Sequence, residues 1–436
     1  MAFKEFFLLN IMLPIAEKFQ GTCATKWYKQ IETMQSWSCD EIISWQNEQL
    51  KRLVNHVYNH TVYYHRLFEG LGLCPNDIQT IEDLKKLPII DKQIANEHFN
   101  EIVPDNLSEF KYRTGKTGGT TGEPMFYYCD ENNWGYITAN KIFNWKKTGY
   151  KYGDAFVALG SSSLFSSKPS FKRRVYDKIR REYGLNSIDL TDEKCAKYVD
   201  FIKKKKIQYI NGYAASLYIF AQYVRRKQID LTQIKVVFST SENLTDEYRE
   251  LIEETFQCKV MDCYGARDAG ISAYEDSRFH YQIGYNVLVE IVDEILPNSG
   301  SVLSTNLLNY TFPLLRYKFG DEAELDVNAD GYNGQQFRHI LGRTSDVLRL
   351  ENGHCLSATG FSMIMKHFDI EAFDFHKIGE ANVLLRIKKK DGYSSIQEAK
   401  IKKTLQGYLG EDCNLAIEYI DSFEALPNGK HRYYYV

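Results

Sequence analysis

Between residues 154 and 263, short apolar runs alternate with stretches of helical period, and no other feature of the chain constrains its fold so tightly. Residues 154–159 (Asp-Ala-Phe-Val-Ala-Leu) form the first run and residues 208–210 the second. A helix is predicted over 217–226, a strand over 234–238, a helix over 246–256 and a strand over 259–263. Thr245 stands where an N-cap is needed, with Glu247 in the first turn that follows. Repeated strand–helix–strand units lay each strand parallel to the last, because the crossover helix returns the chain to its starting edge. In such a sheet, ligand sites gather beyond the carboxyl ends of the strands. Three segments fall there: Asn211-Gly212-Tyr213, Ser239-Thr240-Ser241-Glu242-Asn243 and Tyr264-Gly265-Ala266-Arg267-Asp268.

Beyond residue 284 the pattern becomes β-rich. Residues 287–292 and 301–307 flank the turn signal Pro297-Asn298-Ser299-Gly300, and a further strand is predicted over 313–319, running into Gly320-Asp321. Polar residues from Arg343 to Asp346 break the strand pattern. The last ninety or so residues then read as a small α+β unit: strand 382–388, helix 395–409, strand 415–420. With 436 residues the chain is long enough for two domains, placed at 1–343 and 344–436.

The segment Lys111-Tyr112-Arg113-Thr114-Gly115-Lys116-Thr117-Gly118-Gly119-Thr120-Thr121-Gly122-Glu123-Pro124 packs four glycines and four threonines into nine residues, with cations upstream. Glycine lets backbone N–H groups turn inward and threonine adds hydroxyl donors, so such a loop suits a polyphosphate. Gly115-Lys116-Thr117 mimics the end of a Walker A loop, but Phe110 stands where that motif needs glycine. A P-loop NTPase is excluded.

A formal net charge of −3 argues against nucleic acid as a partner. Nine scattered cysteines without a Cys-x-x-Cys pair suggest free thiols in a reducing, cytoplasmic setting. His56 and His60 stand one helical turn apart but no third ligand completes a metal set, so they read as ordinary helix residues. The apolar stretch 6–16, broken by Asn10 and Pro14, is too short to span a bilayer. It reads as a helix packed on the body, with a shallow membrane or partner contact as the sharper alternative.

Five motifs in order carry a resemblance. Residues 117–124 (Thr-Gly-Gly-Thr-Thr-Gly-Glu-Pro), Tyr264-Gly265-Ala266-Arg267-Asp268, Pro313-Leu314-Leu315-Arg316-Tyr317-Lys318-Phe319-Gly320-Asp321, Gly342-Arg343-Thr344-Ser345-Asp346 and Asn428-Gly429-Lys430 resemble those of adenylate-forming (acyl-AMP) ligases. The subgroup they most resemble is that of the phenylacetate–CoA ligases and their capsule-biosynthesis CapK-type relatives. Residues 74–88 are similar to the N-terminal region of that subgroup.

The resemblance implies an α/β architecture: a large N-terminal adenylate-forming domain with parallel sheets and a β-rich subdomain, and a small mobile α+β C-terminal domain. It implies ATP and Mg²⁺ as cofactors, CoA as a candidate co-substrate, and a small-molecule carboxylate and acceptor. Thr117, Gly118, Gly119, Thr120, Thr121 and Gly122 would hold the β- and γ-phosphates. Tyr264, beside Gly265, would stack on adenine, with Ser241 and Glu242 near the nucleotide. Asp268, where the family usually has glutamate, would hold Mg²⁺; Arg267 replaces a small hydroxyl residue and is a candidate for the α-phosphate. Asp321 would accept from the ribose hydroxyls, Arg343 would contact ribose and phosphate, and Asp346 would be the hinge. Lys430 would reach the developing pentavalent phosphate as a point charge. Asn211, Gly212, Tyr213 and Ser216 would border the acyl pocket. Residues 271–280 hold no cysteine, so the zinc site of some phenylacetate-group relatives is not expected.

The implied reaction is acyl-adenylate formation followed by transfer to a thiol or an amine, in surface-polysaccharide synthesis if the CapK likeness governs. An aryl-acid CoA ligase is the alternative within enzymes. Arg267 and Asp268 depart from the common pattern and also admit a nucleotide-binding protein without catalysis.

Overall fold

The computed structural model describes residues 2–20, 22–117, 125–160, 171–187, 190–277, 280–326, 334–343, 347–349, 355–357, 365, 368–379, 382–390, 392–409, 412–421 and 434–435. Two compact units divide the chain. The first is Met1–Val292 with Val302–Phe319 and Glu324–Ile340; the second is Asp293–Ser301 with Gly320–Ala323 and Leu341–Val436.

In the first unit the N-terminal stretch is helical and includes α1 (Leu13–Gln20). Leu8, Leu9 and Leu13 are buried with Trp27, Tyr136 and Ile142, so one side of the stretch packs on the body. Helix α2 (Cys39–His60) starts in a capping box between Ser38 and Glu41. The helix ends at His60. Thr61 is extended and caps a second helix, Val62–Leu71, because its hydroxyl accepts from Tyr64 N–H.

A two-stranded hairpin follows, β1 (Tyr112–Lys116) and β2 (Phe126–Asp130), antiparallel with Lys116 opposite Phe126. It leads directly into α3 (Glu131–Lys147), whose N-cap Asp130 accepts from the backbone N–H groups of Asn132 and Asn133.

The main sheet follows the alternation read from the sequence in β3 (Phe156–Gly160), β5 (Tyr209–Tyr213), β6 (Val236–Thr240) and β7 (Lys259–Ala266), and adds a strand that reading did not contain, β4 (Glu182–Asn186). These five pair in parallel in the order β4-β3-β5-β6-β7. Helices α4 (Ala214–Arg226) and α5 (Asp246–Phe256) cover one face, with Leu217, Phe220, Ile252 and Phe256 packed on Val157, Ile210, Val237 and Val260. On the other face Trp145 of α3 stacks on Phe238, ring centres 3.8 Å apart, among Phe156, Tyr209 and Met261. Each such fully buried side chain contributes about 1.5–3 kcal/mol by leaving water. Alternating side chains are apolar on both faces, as a sheet covered on both sides requires.

From β7 the sheet turns antiparallel into β8 (Ile271–Ser277) and β9 (His280–Ile283). It continues with β10 (Val287–Leu296), β11 (Ser299–Asn306), β12 (Tyr317–Asp326) and β13 (Gln336–Arg343), in the strand order β10-β11-β12-β13-β9-β8-β7. The strand expected over 313–319 begins only at Tyr317. Arg316 has φ +53°, a left-handed turn residue, and its guanidinium is buried against Glu290 and the Leu87 carbonyl, which breaks the extended run.

The second unit has its own sheet. Strands β14 (Ile370–Lys377) and β15 (Asn382–Lys389) form an antiparallel pair, with β16 (Asn414–Tyr419) parallel to β15 and β17 (Tyr434–Tyr435) parallel to β14. Helix α6 (Ser395–Leu409) buries Ile401, Leu405 and Leu409 in one cluster with Phe375, Val383, Leu385 and Ile387. The α+β character expected of the C-terminal segment is present. Its first strand, β14, did not stand out in the sequence.

Candidate active site

The hairpin sets Gly115 of the Gly/Thr segment against Tyr127 of the opposite strand. A Cβ on Gly115 would stand 2.2 Å from the Tyr127 ring, so only glycine lets that ring lie flat across the opposite strand. Burial pushes the Tyr127 hydroxyl up to about 12, and the Asp268 charge adds to the shift. At the hairpin's loop end Thr117 N–H donates to the Met125 carbonyl and Met125 N–H donates to Thr117 Oγ1, both at 2.9 Å. Gly118, Gly119, Thr120, Thr121 and Gly122 lie outside the described residues.

The parallel register aligns the strand ends. Tyr213 pairs with Thr240 and Thr240 with Cys263, so the three segments singled out in the sequence start side by side at one edge. Tyr264, Gly265 and Ala266 are still in the strand, where they pair with β8. Tyr264 is half-buried, its ring edge-on to Phe337 at 5.7 Å. Asp268 follows the strand, half-buried, and Oδ2 accepts from the buried Tyr317 hydroxyl at 3.0 Å. Tyr317 thus orients the carboxylate, a role with no sign in the sequence beyond membership of the Arg316-Tyr317 motif.

A cavity of about 340 Å³ joins these parts within the first unit. Arg113, Gly115 and Tyr127 of the hairpin line it together with Arg267 from the strand end. One face of α3 supplies Trp134, Thr138, Lys141 and Trp145, at the i, i+4, i+7, i+11 spacing that lines a helix up along one side. Leu13 and Ala16 of α1, Tyr150, Tyr152, Arg180 and Glu182 complete much of the wall. The helical recurrence Trp134–Thr138–Lys141–Trp145 was the available signal for this wall.

No family model matches the sequence. Protein CapK of Staphylococcus aureus is 24% identical over 438 residues, covering 97% of this chain and 96% of that protein. A phenylacetate–coenzyme A ligase of Pseudomonas putida is 23% identical over 73% of this chain and 74% of its own length. Among solved structures, 2-hydroxyisobutyryl-CoA ligase in the postadenylation state, in complex with R3-HIB-AMP, superposes with a TM-score of 0.66 at 16% identity, covering 92% of this chain and 91% of that one. By sequence the chain is similar to CapK and to phenylacetate–coenzyme A ligase, and it shares the fold of the adenylate-forming 2-hydroxyisobutyryl-CoA ligase. The similarity to CapK runs over nearly the whole of both chains, and that to the phenylacetate–CoA ligase over about three quarters of each.

The motifs that carry the resemblance are unevenly visible. Thr117, Tyr264, Gly265, Arg267 and Asp268 fall in the first unit at the places just described. Asp321 is half-buried on β12, after Gly320 with φ +90°, in a segment that clusters with the second unit. Arg343 ends β13, and nothing is described of its side chain; Asp346 and Lys430 lie outside the described residues.

At the neighbouring strand ends, Ser241 is exposed with φ +67°. Glu242 accepts from Ala215 N–H at 2.8 Å, so its carboxylate serves the start of α4. Asn211 is buried and Tyr213 half-buried. A Cβ on Gly212 would stand 2.8 Å from the Leu159 carbonyl, so packing alone accounts for that glycine. Ser216 donates to Ser187 Oγ at 2.8 Å. None of these four lines the cavity of α3.

No helix among the described residues is long and apolar enough to cross a membrane.

Proposed function

We propose that the protein is an ATP- and Mg²⁺-dependent enzyme that activates a carboxylic acid as its acyl-adenylate and passes the acyl group to CoA or to an amine. The observation that carries this reading is the convergence on one cavity of the Gly/Thr hairpin, through Arg113, Gly115 and Tyr127, and the Tyr-Gly strand end, through Arg267. Kinship with acid–CoA ligases supports it.

A carboxylate oxygen attacks the α-phosphorus of ATP, the bond to the bridging oxygen breaks, and pyrophosphate leaves. Both partners are anionic, so the protein's task is positioning and charge neutralisation. The Gly118–Gly122 loop holds the leaving phosphates, and Tyr264 offers its ring to adenine. Asp321 takes the ribose hydroxyls, assisted by Arg343. Arg267 meets the α-phosphate. Asp268 fits Mg²⁺ as a single hard oxygen donor fixed by Tyr317, a sufficient protein share for an ion that draws its other ligands from phosphates and water. Asp346 is the pivot of the small domain that presents Lys430. Lys430→Ala is expected to lower acid-dependent ATP–pyrophosphate exchange by about 10²–10³. Unchanged exchange in that variant, or none with any acid in the wild type, would contradict the reading.

The aromatic wall of Tyr127, Trp134 and Trp145 favours an acid with an apolar or aromatic body. The surface-polysaccharide role follows the CapK name alone. A peripheral membrane contact is supported by the exposed Phe6, Ile11 and Ile15 on the N-terminal helices. Failure of the wild type to sediment with anionic vesicles would remove that part.

A further inference from the structure

Helix α3 carries two cation–tryptophan arrangements on its cavity face. Near its start, the guanidinium groups of Arg113 and Arg267 lie 4.8 Å and 5.8 Å from the Trp134 ring centre. Seven residues on, about 10 Å along the axis, Lys141 Nζ lies 4.1 Å from the Trp145 ring centre and 5.7 Å from that of Phe156. Lys141 makes no hydrogen bond and no ion pair among the described residues; its neighbours are rings and the cavity. Beside it Tyr150 is 2% exposed and edge-on to Trp145; the Gly153 N–H faces its hydroxyl, whose own proton has no acceptor among the described residues. Arg180 lines the same cavity, 6.0 Å from the Phe156 ring and paired with Glu182 at 3.2 Å.

A half-buried ammonium and a buried hydroxyl proton without acceptors carry a desolvation cost that a structural role would have met with a carboxylate or a carbonyl. Here the space in front of them is open. The described lining holds four cations, Arg113, Lys141, Arg180 and Arg267, against two carboxylates, Glu17 and Glu182.

We infer that this cavity selects an acid carrying a second anionic group at its far end, held by Lys141 and Tyr150 while the reacting carboxylate lies at the Arg113–Arg267 end. This rests on the adenylation reading for the reacting end alone; the distal site stands on its own geometry. The lysine is also tuned for such a ligand. Burial lowers its pKa from the usual 10.5 to about 8, opposed by Glu182 and reinforced by Arg180, with Cys263 and Arg267 the other titratable groups around it. It is therefore charged at neutral pH and responsive to a counter-ion.

The test pairs acids of equal body with and without the distal carboxylate: suberate with octanoate, and 4-carboxyphenylacetate with phenylacetate. Binding is read by calorimetry, and activation by ATP–pyrophosphate exchange, on wild type, Lys141→Met and Lys141→Arg. The wild type is expected to favour the diacid of at least one pair by about 10- to 100-fold, the range of a charge-assisted hydrogen bond. Lys141→Met erases that preference through KM with kcat little changed, and Lys141→Arg restores part of it. Diacid binding that depends on Lys141 but gives no exchange would uphold the distal site and overturn adenylation. Exchange with monoacids as good as with diacids, or an equal loss for both in Lys141→Met, would overturn the distal site and leave adenylation standing. Neither binding nor exchange with any of the four acids would overturn both.

Discussion

Arg249 and Lys141 are both cations drawn in against the main sheet, and their surroundings could hardly differ more. Arg249 donates twice to Glu275, at 2.8 Å to each oxygen, and once to the Val260 carbonyl at 3.0 Å. Glu275 in turn accepts from Asp262 N–H. Both terminal nitrogens of that group are bonded within the fold, so its charge belongs to the scaffold. Lys141 has a tryptophan face on one side and a cavity on the other. Burial alone therefore does not separate structure from function; the partner set does. A buried charge with its hydrogen bonds complete explains itself, and one facing a cavity without them points to something that comes and goes.

The largest expected effect breaks the scaffold side of this contrast. Arg249→Met strands Glu275 and should cost about 3–5 kcal/mol in urea unfolding, whereas adding Glu275→Leu should recover most of the loss. A neutral Arg249→Met would end the comparison.

Next comes Asp262, whose side chain accepts from the Tyr281 hydroxyl at 2.8 Å. Burial pushes its carboxyl from the usual 3.8 up to about 6. The folded state therefore holds this proton longer than the unfolded chain does, and its contribution worsens as pH rises from 3.8 to about 6, then stays level. Asp262→Asn should gain on the wild type across that window by roughly 2–3 kcal/mol. A gap that does not grow with pH would show that the carboxylate is stabilised in place.

The smallest effect belongs to Lys141. Lys141→Met should lie within about 1 kcal/mol of the wild type at neutral pH, or above it, because no hydrogen bond or ion pair is lost and the apolar side chain still packs on the Trp145 ring. The lysine's pKa is lowered from 10.5 to about 8, so between those values the unfolded chain binds the extra proton. The wild type should then gain stability relative to Lys141→Met as pH rises through that interval. A relative loss would mean that Lys141 is paired after all.

Much of this was legible in the sequence where chemistry is local. The strand–helix alternation gave the parallel sheet, Thr245 capped its helix as its position required, and the hairpin signal around Asn298 held. What escaped depends on distant pairing. Residues 264–266 extend β7 because β8 folds back on them, and residues 313–316 are not strand because Glu290 and Leu87 hold Arg316 in a turn. For the same reason the link from Tyr317 to Asp268, forty-nine residues apart, was invisible. The Lys141 wall is different. Its helical spacing lay in plain view, but only the fold shows that this face opens on a cavity and not on a packed core.

The central claim is that a carboxylate attacks the α-phosphate, and oxygen tracing tests it most directly. An acid that supports exchange, labelled with ¹⁸O in its carboxylate, is incubated with ATP, Mg²⁺ and CoA, and the released nucleotide is weighed by mass spectrometry. Attack at the α-phosphorus followed by acyl transfer leaves one labelled oxygen in AMP. Unlabelled AMP, or ADP with the label in inorganic phosphate, would contradict it.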